Sequence, residues 1–240
     1  MTPGGRGLGI FYKEPRPGSV KTRLTPPLQP EEAAELYAAF LSDTIRMVSR
    51  EPGLDLVILF DADVASSWRP EAPPEWLHRP QVGTDLGERM AAALAELIDR
   101  LPAEGRAACL IGSDAPFLDG LILESAFHAL ESGHDLVTSP TPDGGYGLIG
   151  VSAKPANHLL AGIAWSTENV LAATEAAAHR IGWSTGRTLP SQDIDTGSDL
   201  SNFLTLLSEL DSPSMESMAP ATRHYLAGLI AAGRLAPPRQ

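Results

Sequence analysis

The chain holds one cysteine, Cys109, among 240 residues, which excludes a disulfide framework and a cysteine-cluster zinc site. Its six histidines, at 78, 128, 134, 158, 179 and 224, show no His-x-x-x-His or similar ligand spacing, so a histidine-based metal site is not expected. No apolar run approaches the ~18–20 residues of a membrane span. No secretory leader pattern is present, and the expectation is a cytoplasmic protein with no membrane partner. Positive charge is scarce: 18 Lys and Arg against 30 Asp and Glu leave a net charge of −12. Nucleic-acid binding needs the opposite balance, so no nucleic-acid partner is expected. Internal repeats and long low-complexity segments are absent as well. What remains, 43% hydrophobic and 20% charged residues, is an ordinary globular composition with enough chain for a sizeable core.

Against that acidic background, the first 24 residues carry Arg6, Lys13, Arg16, Lys21 and Arg23 with one acid, Glu14, a local charge of +4. Leu8, Ile10, Phe11 and Tyr12 read as a buried strand. The Pro- and Gly-rich Lys13-Glu14-Pro15-Arg16-Pro17-Gly18 that follows reads as a loop. A basic loop straight after a first strand suits a di- or triphosphate, with backbone N–H groups facing the anion and Lys and Arg neutralising it. It is not a Walker A loop, and no Gly-x-Gly-x-x-Gly opens a helix here. The bland alternative is a solvated basic segment. Pro30 to Arg50 then carries an apolar face at helical spacing, from Ala33 through Tyr37 and Phe40 to Val48, and Leu54 to Phe60 reads as a second buried strand. Strand, loop, helix, strand makes a βαβ unit.

Further along, six stretches are candidates for chemistry. Asp61-Ala62-Asp63 has the Asp-x-Asp form that holds metal in many sugar-nucleotide transferases, but it closes a strand and is read as an acidic turn. Thr84 or Asp85 caps a helix carrying Arg89; Asp85 and Arg89 are candidate nucleotide contacts, with a cap and an i,i+4 ion pair as the alternative. Ala107 to Ile111 is a buried strand ending in Gly112-Ser113-Asp114-Ala115-Pro116, where Asp114 at a strand's carboxyl end is placed to hold Mg²⁺ against phosphates. Leu121 to Leu130 reads as helix and Asp135 to Ser139 as strand. Asp143-Gly144-Gly145-Tyr146 is either an acceptor-binding segment or an Asp-Gly hairpin turn. Trp165 is core or the floor of an acceptor pocket, and Ser166 or Thr167 caps the helix that follows. In Asp193-Ile194-Asp195, an inward Ile194 leaves two carboxylates on one face, a further candidate pair of metal ligands opposite Asp114. A helix runs from Ser198 to Leu210, followed by a polar linker, Ser212 to Pro220, and a C-terminal helix, Ala221 to Ala232. The expected division is a main domain, 1–211, and an extension, 212–240, packing on that domain or on a second subunit as a homodimer.

Taken together, the run from Lys13 through Pro15, Pro17, Gly18, Lys21, Thr22 and Arg23 to Leu24, with Asp85 to Met90, Gly112 to Pro116, Asp143 to Tyr146 and Trp165 to Thr167, resembles a bacterial glycosyltransferase-like domain of unknown function, the DUF2064 type. The resemblance spans about residues 8–210. It implies the α/β fold of the nucleotide-diphospho-sugar transferases (GT-A, Rossmann-like): one three-layer domain around a mixed, mostly parallel sheet. The opening is also similar to 2-phospholactate guanylyltransferases, whose Lys…Lys-Thr-Arg-Leu segment serves a nucleoside triphosphate. Pro-Arg-Pro-Gly replaces the Gly-rich loop of better known nucleotidyltransferases. The expected activity is glycosyl transfer from an NDP-sugar to a small-molecule acceptor, dependent on Mg²⁺ or Mn²⁺. The alternative is transfer of a nucleotidyl group from an NTP with release of pyrophosphate. In either, Lys21 and Asp114 are the expected catalytic residues. Lys13, Arg16, Gly18, Lys21, Thr22, Arg23, Asp85 and Arg89 are expected on the nucleotide. Asp143, Gly144, Gly145, Tyr146, Trp165, Ser166 and Thr167 are expected on the acceptor, and Asp114, Asp193 and Asp195 on the metal.

Overall fold

The computed structural model describes residues 5–63, 65–116, 118–152, 159–209 and 219–237. Its centre is β1 (Arg6–Tyr12), whose Leu8, Ile10 and Tyr12 are buried. β1 pairs in parallel with β2 (Leu56–Asp61) on one side and with β4 (Ala107–Ile111) on the other, so Ile10 stands in register between Leu59 and Ile111. β3 (Leu77–Pro80) adds to β2, also in parallel. Beyond β4 come β6 (Tyr146–Ser152), antiparallel, then β5 (Leu136–Pro140) and β7 (Thr185–Arg187), giving the order β3-β2-β1-β4-β6-β5-β7. The sheet is mixed and mostly parallel, as expected. Continuous apolar runs explain β1, β2 and β4, which are covered on both faces. β3 lies at the end of the Pro- and Trp-rich stretch Trp68 to Pro80, whose composition reads as loop; as an edge strand of four residues it needs little pattern of its own.

The helices begin where their caps stand. α1 (Pro30–Val48) has Pro30 in its first turn, and Glu32 Oε2 accepts from Gln29 N at 2.8 Å; it ends two residues before the expected Arg50. Asp85 caps α2 (Leu86–Arg100) and Asp119 caps α3 (Gly120–Glu131), each accepting from a backbone N–H three residues on. α4 (Val170–Arg180) starts after Asn169, so neither Ser166 nor Thr167 is its cap. α5 (Gly197–Glu209) and α6 (Pro220–Ala231) complete the chain. α1 and α3 cover one face of the sheet and α2 and α4 the other. A third apolar cluster joins Val20, Leu24 and Leu28 to the outer side of α1, α5 and α6. The fold thus adds a layer outside α1 to the expected three. α6 is tied to α1 by the buried Asp43, whose two oxygens accept from Ala221 N at 2.9 Å and Thr222 N at 2.8 Å. The expected linker lies, apart from its last two residues, outside the described residues.

Candidate active site

Every parallel strand delivers its following loop to one edge of the sheet. Strand order reverses between β1 and β4, because the chain runs outward from β1 to β2 and β3 and then returns to β1's other side. Loops leaving such a point diverge and leave a crevice. Here it is a cavity of about 400 Å³, lined on the β1 side by Lys13, Thr22 and Arg23, on the β3 side by Gln81, Leu86 and Arg89, and on the β4 side by Ser113, Asp114 and Asp195.

Tyr37 of α1 joins two of these loops. Its hydroxyl oxygen accepts from Lys13 N at 2.9 Å and lies 2.8 Å from Ser113 Oγ. Burial pushes its pKa up to about 12, so it stays a neutral phenol. Gln81 seals the ends of the first two strands, its Nε2 donating to Phe60 O at 3.1 Å and Tyr12 O at 3.4 Å. Arg89 Nε donates to Gly83 O at 3.2 Å.

Lys21 occupies the middle. Its side chain is 4% exposed, with Nζ 2.9 Å from Asp114 Oδ2 and 2.5 Å from Asp195 Oδ1. Burial opposes its charge, but the two carboxylates outweigh burial and hold the ammonium's pKa above its ordinary value. Asp195 is brought to Asp114 by the buried Ile194, whose N–H donates to Asp114 O at 3.3 Å. Thr196 and Asp199 then fix the turn into α5: Asp199 Oδ2 accepts from Thr196 N at 2.7 Å and Thr196 Oγ1 accepts from Asp199 N at 3.2 Å. Asp193 faces the same group. Burial, then the charges of Asp195 and Asp114, raise its carboxyl to about 6.

The structure brings Lys13, Lys21, Thr22, Arg23, Arg89, Asp114 and Asp195 to one cavity. Other expected residues stand elsewhere. Arg16 pairs with Glu14 at 2.6 Å and with Asp63 at 2.9 Å, because its turn folds toward the loop after β2. Asp61 pairs with Arg69, so the acidic-turn reading of Asp61 and Asp63 matches their use in ion pairs. Gly18 lies in an open turn and Asp85 is spent on capping α2; neither lines the cavity. No Asp85–Arg89 ion pair forms among the described residues. The acceptor group is also displaced. Asp143 closes the β5–β6 hairpin, accepting from Thr141 Oγ1 at 2.6 Å and Gly145 N at 3.1 Å. Gly144, at φ 85°, is pressed against the Glu168 carbonyl and accepts from Leu171 N at 2.9 Å, an approach that leaves no room for a side chain. Tyr146 is half-buried against the apolar layer beneath α4, and Trp165 lies against Gly87 of α2. Thr167 Oγ1 donates to Ala164 O at 2.8 Å, and Ser166, at φ 61°, is exposed. Gly144 ties the hairpin to the start of α4 and Trp165 meets α2, and none of the seven lines the cavity. Asp143-Gly144-Gly145 forms the turn of the β5–β6 hairpin.

Among the described residues no three carboxylate, imidazole or thiol groups converge closely enough to hold a metal ion. The expected set of Asp114, Asp193 and Asp195 is therefore not assembled. Asp114 and Asp195 nonetheless fit a hard divalent cation: both offer carboxylate oxygen, and both already converge on one positive charge. Mg²⁺ is ordinarily held by one or two carboxylates, with water and phosphate oxygens filling the other positions.

The model of a family described as uncharacterized proteins conserved in bacteria, DUF2064, matches residues 44–167, just over half of the chain. The chain belongs to the DUF2064 family. Among solved structures, a candidate nucleotide-diphospho-sugar transferase from Desulfovibrio desulfuricans G20 is 27% identical, with a TM-score of 0.80 over 94% of this chain and 95% of that one. Rv0371c from Mycobacterium tuberculosis H37Rv is 19% identical with a TM-score of 0.51, covering 83% of this chain and 97% of its own. CMP:2-keto-3-deoxy-manno-octonic acid synthetase, solved with CTP, shares 8% identity and a TM-score of 0.53 over 85% and 99%. The last two likenesses are of fold alone. Curated proteins give no match. This DUF2064 chain thus has the nucleotide-diphospho-sugar transferase fold. Among its described residues no helix is long and apolar enough to cross a membrane.

Proposed function

We propose that this DUF2064 protein is a metal-dependent transferase that moves a glycosyl group from an NDP-sugar to a small-molecule acceptor. The observation that carries the reading is a single cavity at the switch point of the sheet, with Lys13, Arg23 and Arg89 on its walls and Asp114 and Asp195 converging beside them. Lys13, Arg23 and Arg89 take the diphosphate, whose negative charge grows as the glycosyl bond breaks. Asp114 and Asp195 hold Mg²⁺ or Mn²⁺. The bound cation supplies further neutralisation of the departing diphosphate. Tyr37 fixes the Lys13 loop relative to Ser113, so the cationic and acidic walls keep one spacing. Residues 1–211 form the transferase domain, and the segment 212–240 extends it.

Nucleotidyl transfer is the second reading. Its support is Lys21: once released from the carboxylates it would add a fourth cation, more than a diphosphate shared with a metal needs and well suited to a triphosphate. Thermal unfolding against NDP-sugars and NTPs, with and without Mg²⁺ or Mn²⁺, separates the two. A ligand at 100 times its Kd adds about 2.7 kcal/mol, roughly 5–10 °C for a chain of this size. Metal-dependent stabilisation by one NDP-sugar, with NTPs weaker, supports glycosyl transfer. Preference for one NTP supports nucleotidyl transfer. No response to any nucleotide overturns both.

A further inference from the structure

Lys21 is an unusual phosphate ligand, because it is already engaged. Its ammonium is almost fully enclosed and bridges Asp114 and Asp195, the two carboxylates assigned above to the cation. Its backbone is left-handed, at φ 47° and ψ 38°, a conformation that non-glycine residues adopt at a cost and that concentrates at ligand clamps and switches. An ammonium and a divalent ion cannot both stand between the same two oxygens.

We propose that Lys21 is a resident counter-ion that keeps the divalent metal out until phosphate draws the ammonium away, so that metal and nucleotide enter this site together. The inference rests on the reading of Asp114 and Asp195 as metal ligands. Metal alone would satisfy the carboxylates but leave the enclosed ammonium without a counter-charge. Phosphate alone would draw the ammonium off and leave Asp114 and Asp195 facing each other and the new anion. Removing one partner of an enclosed ion pair is strongly unfavourable, whereas exchanging both partners is not. When both ligands arrive, the ammonium passes to phosphate and the metal takes its place, and every charge is again paired. The four-carbon stem of Lys21 lets the ammonium move without the backbone. Thr22 and Arg23 line the cavity next to it, so phosphate bound there is the nearest anion.

The probe is Mn²⁺ alone, titrated without nucleotide and followed by its paramagnetic resonance signal. Wild type should bind it weakly. Lys21→Met, which keeps length and removes charge, should bind roughly 5–150-fold tighter, the ordinary span of coupling between two ligands. Lys21→Met combined with Asp114→Asn should lose that gain. A melting measurement gives a second readout: Mn²⁺ alone should raise the midpoint of Lys21→Met and leave wild type unmoved. If Lys21→Met does not fold, Lys21→Gln against Lys21→Arg makes the same comparison, the neutral variant gaining Mn²⁺ and the charged one not. Equal binding by wild type and the neutral variants overturns the proposal. If nucleotide stabilises wild type only with metal, Asp114→Asn abolishes this, and the neutral variants still gain nothing, the counter-ion role is overturned while the metal ligands stand. If no variant binds Mn²⁺ and nucleotide stabilisation ignores metal, the metal-dependent reading itself falls, and this proposal with it.

Discussion

Tyr37→Phe isolates one oxygen that holds two walls of the cavity together. The substitution keeps the ring in the apolar layer between α1 and α5 and removes only the hydroxyl. Two partners are then left: Lys13 N, which was donating at 2.9 Å, and Ser113 Oγ, at 2.8 Å. Lys13 lines the cavity, so water can reach its N–H. Ser113 is 2% exposed, and its hydroxyl has no such recourse. An intramolecular hydrogen bond is worth about 0.5–1.5 kcal/mol net, and a buried group left unsatisfied costs about 1–3 kcal/mol. The expected loss is about 1–2 kcal/mol, or roughly 2–8 °C in Tm for a chain of this length.

Stability alone would make Tyr37 a packing residue, so the decisive readout is the nucleotide-induced rise in Tm, measured on wild type and Tyr37→Phe at the same ligand concentration. Loosening the Lys13 loop from Ser113 should shrink that rise as well as lower the starting midpoint. A lower midpoint with an undiminished ligand response would refute the positioning role. An unchanged midpoint would show that neither hydrogen bond carries weight.

Two substitutions test which arginines face the ligand. Arg89→Ala, on the cavity wall, should weaken nucleotide binding by about tenfold or more, the loss of one charge-assisted contact; Arg16→Ala should leave Kd within about twofold, since its partners are Glu14 and Asp63, and calorimetric titration of both variants decides. At the far side of α1, Asp43→Ala removes two hydrogen bonds to the first turn of α6, which has no side-chain cap of its own. It should cost about 1–3 kcal/mol, with amide exchange faster across residues 220–231, and unchanged exchange there would refute the tether.

Much of this architecture is written locally. The apolar runs of β1, β2 and β4, the cap of α2 and the span of α3 need only a few consecutive residues to be read, and their positions hold within one or two residues. What the local pattern does not carry has a common physical origin. Tyr37 was legible as part of an apolar helix face, and its ring is indeed buried there, but the task of its hydroxyl depends on Ser113, 76 residues away. A hydroxyl at the end of a helix face that meets the strands' carboxyl edge is the one signal that could have marked it. Gln81 carried no pattern at all. Asp143-Gly144-Gly145 reads as special backbone for either a ligand or a hairpin turn, and the Glu168 carbonyl that Gly144 meets is supplied only by the packing of α4.

The basic opening segment makes the same point about charge. Counted along the chain, Arg6, Lys13, Arg16, Lys21 and Arg23 are five cations waiting for an anion. In the fold, Arg6 is held by Glu124 and Glu131, Arg16 by Glu14 and Asp63, and Lys21 by Asp114 and Asp195, 93 and 174 residues distant. A strongly acidic chain neutralises its own basic motif, and only Lys13 and Arg23 of the five line the cavity without an ion pair shorter than 3.9 Å among the described residues. Arg89 joins them from α2. On the proposed reading, the phosphate charge that this site would accept is set less by how many cations the motif contains than by which of them can be released. Lys21 is the one placed between carboxylates that a metal could take over, so under the proposed exchange the capacity for a third phosphate would rest on it.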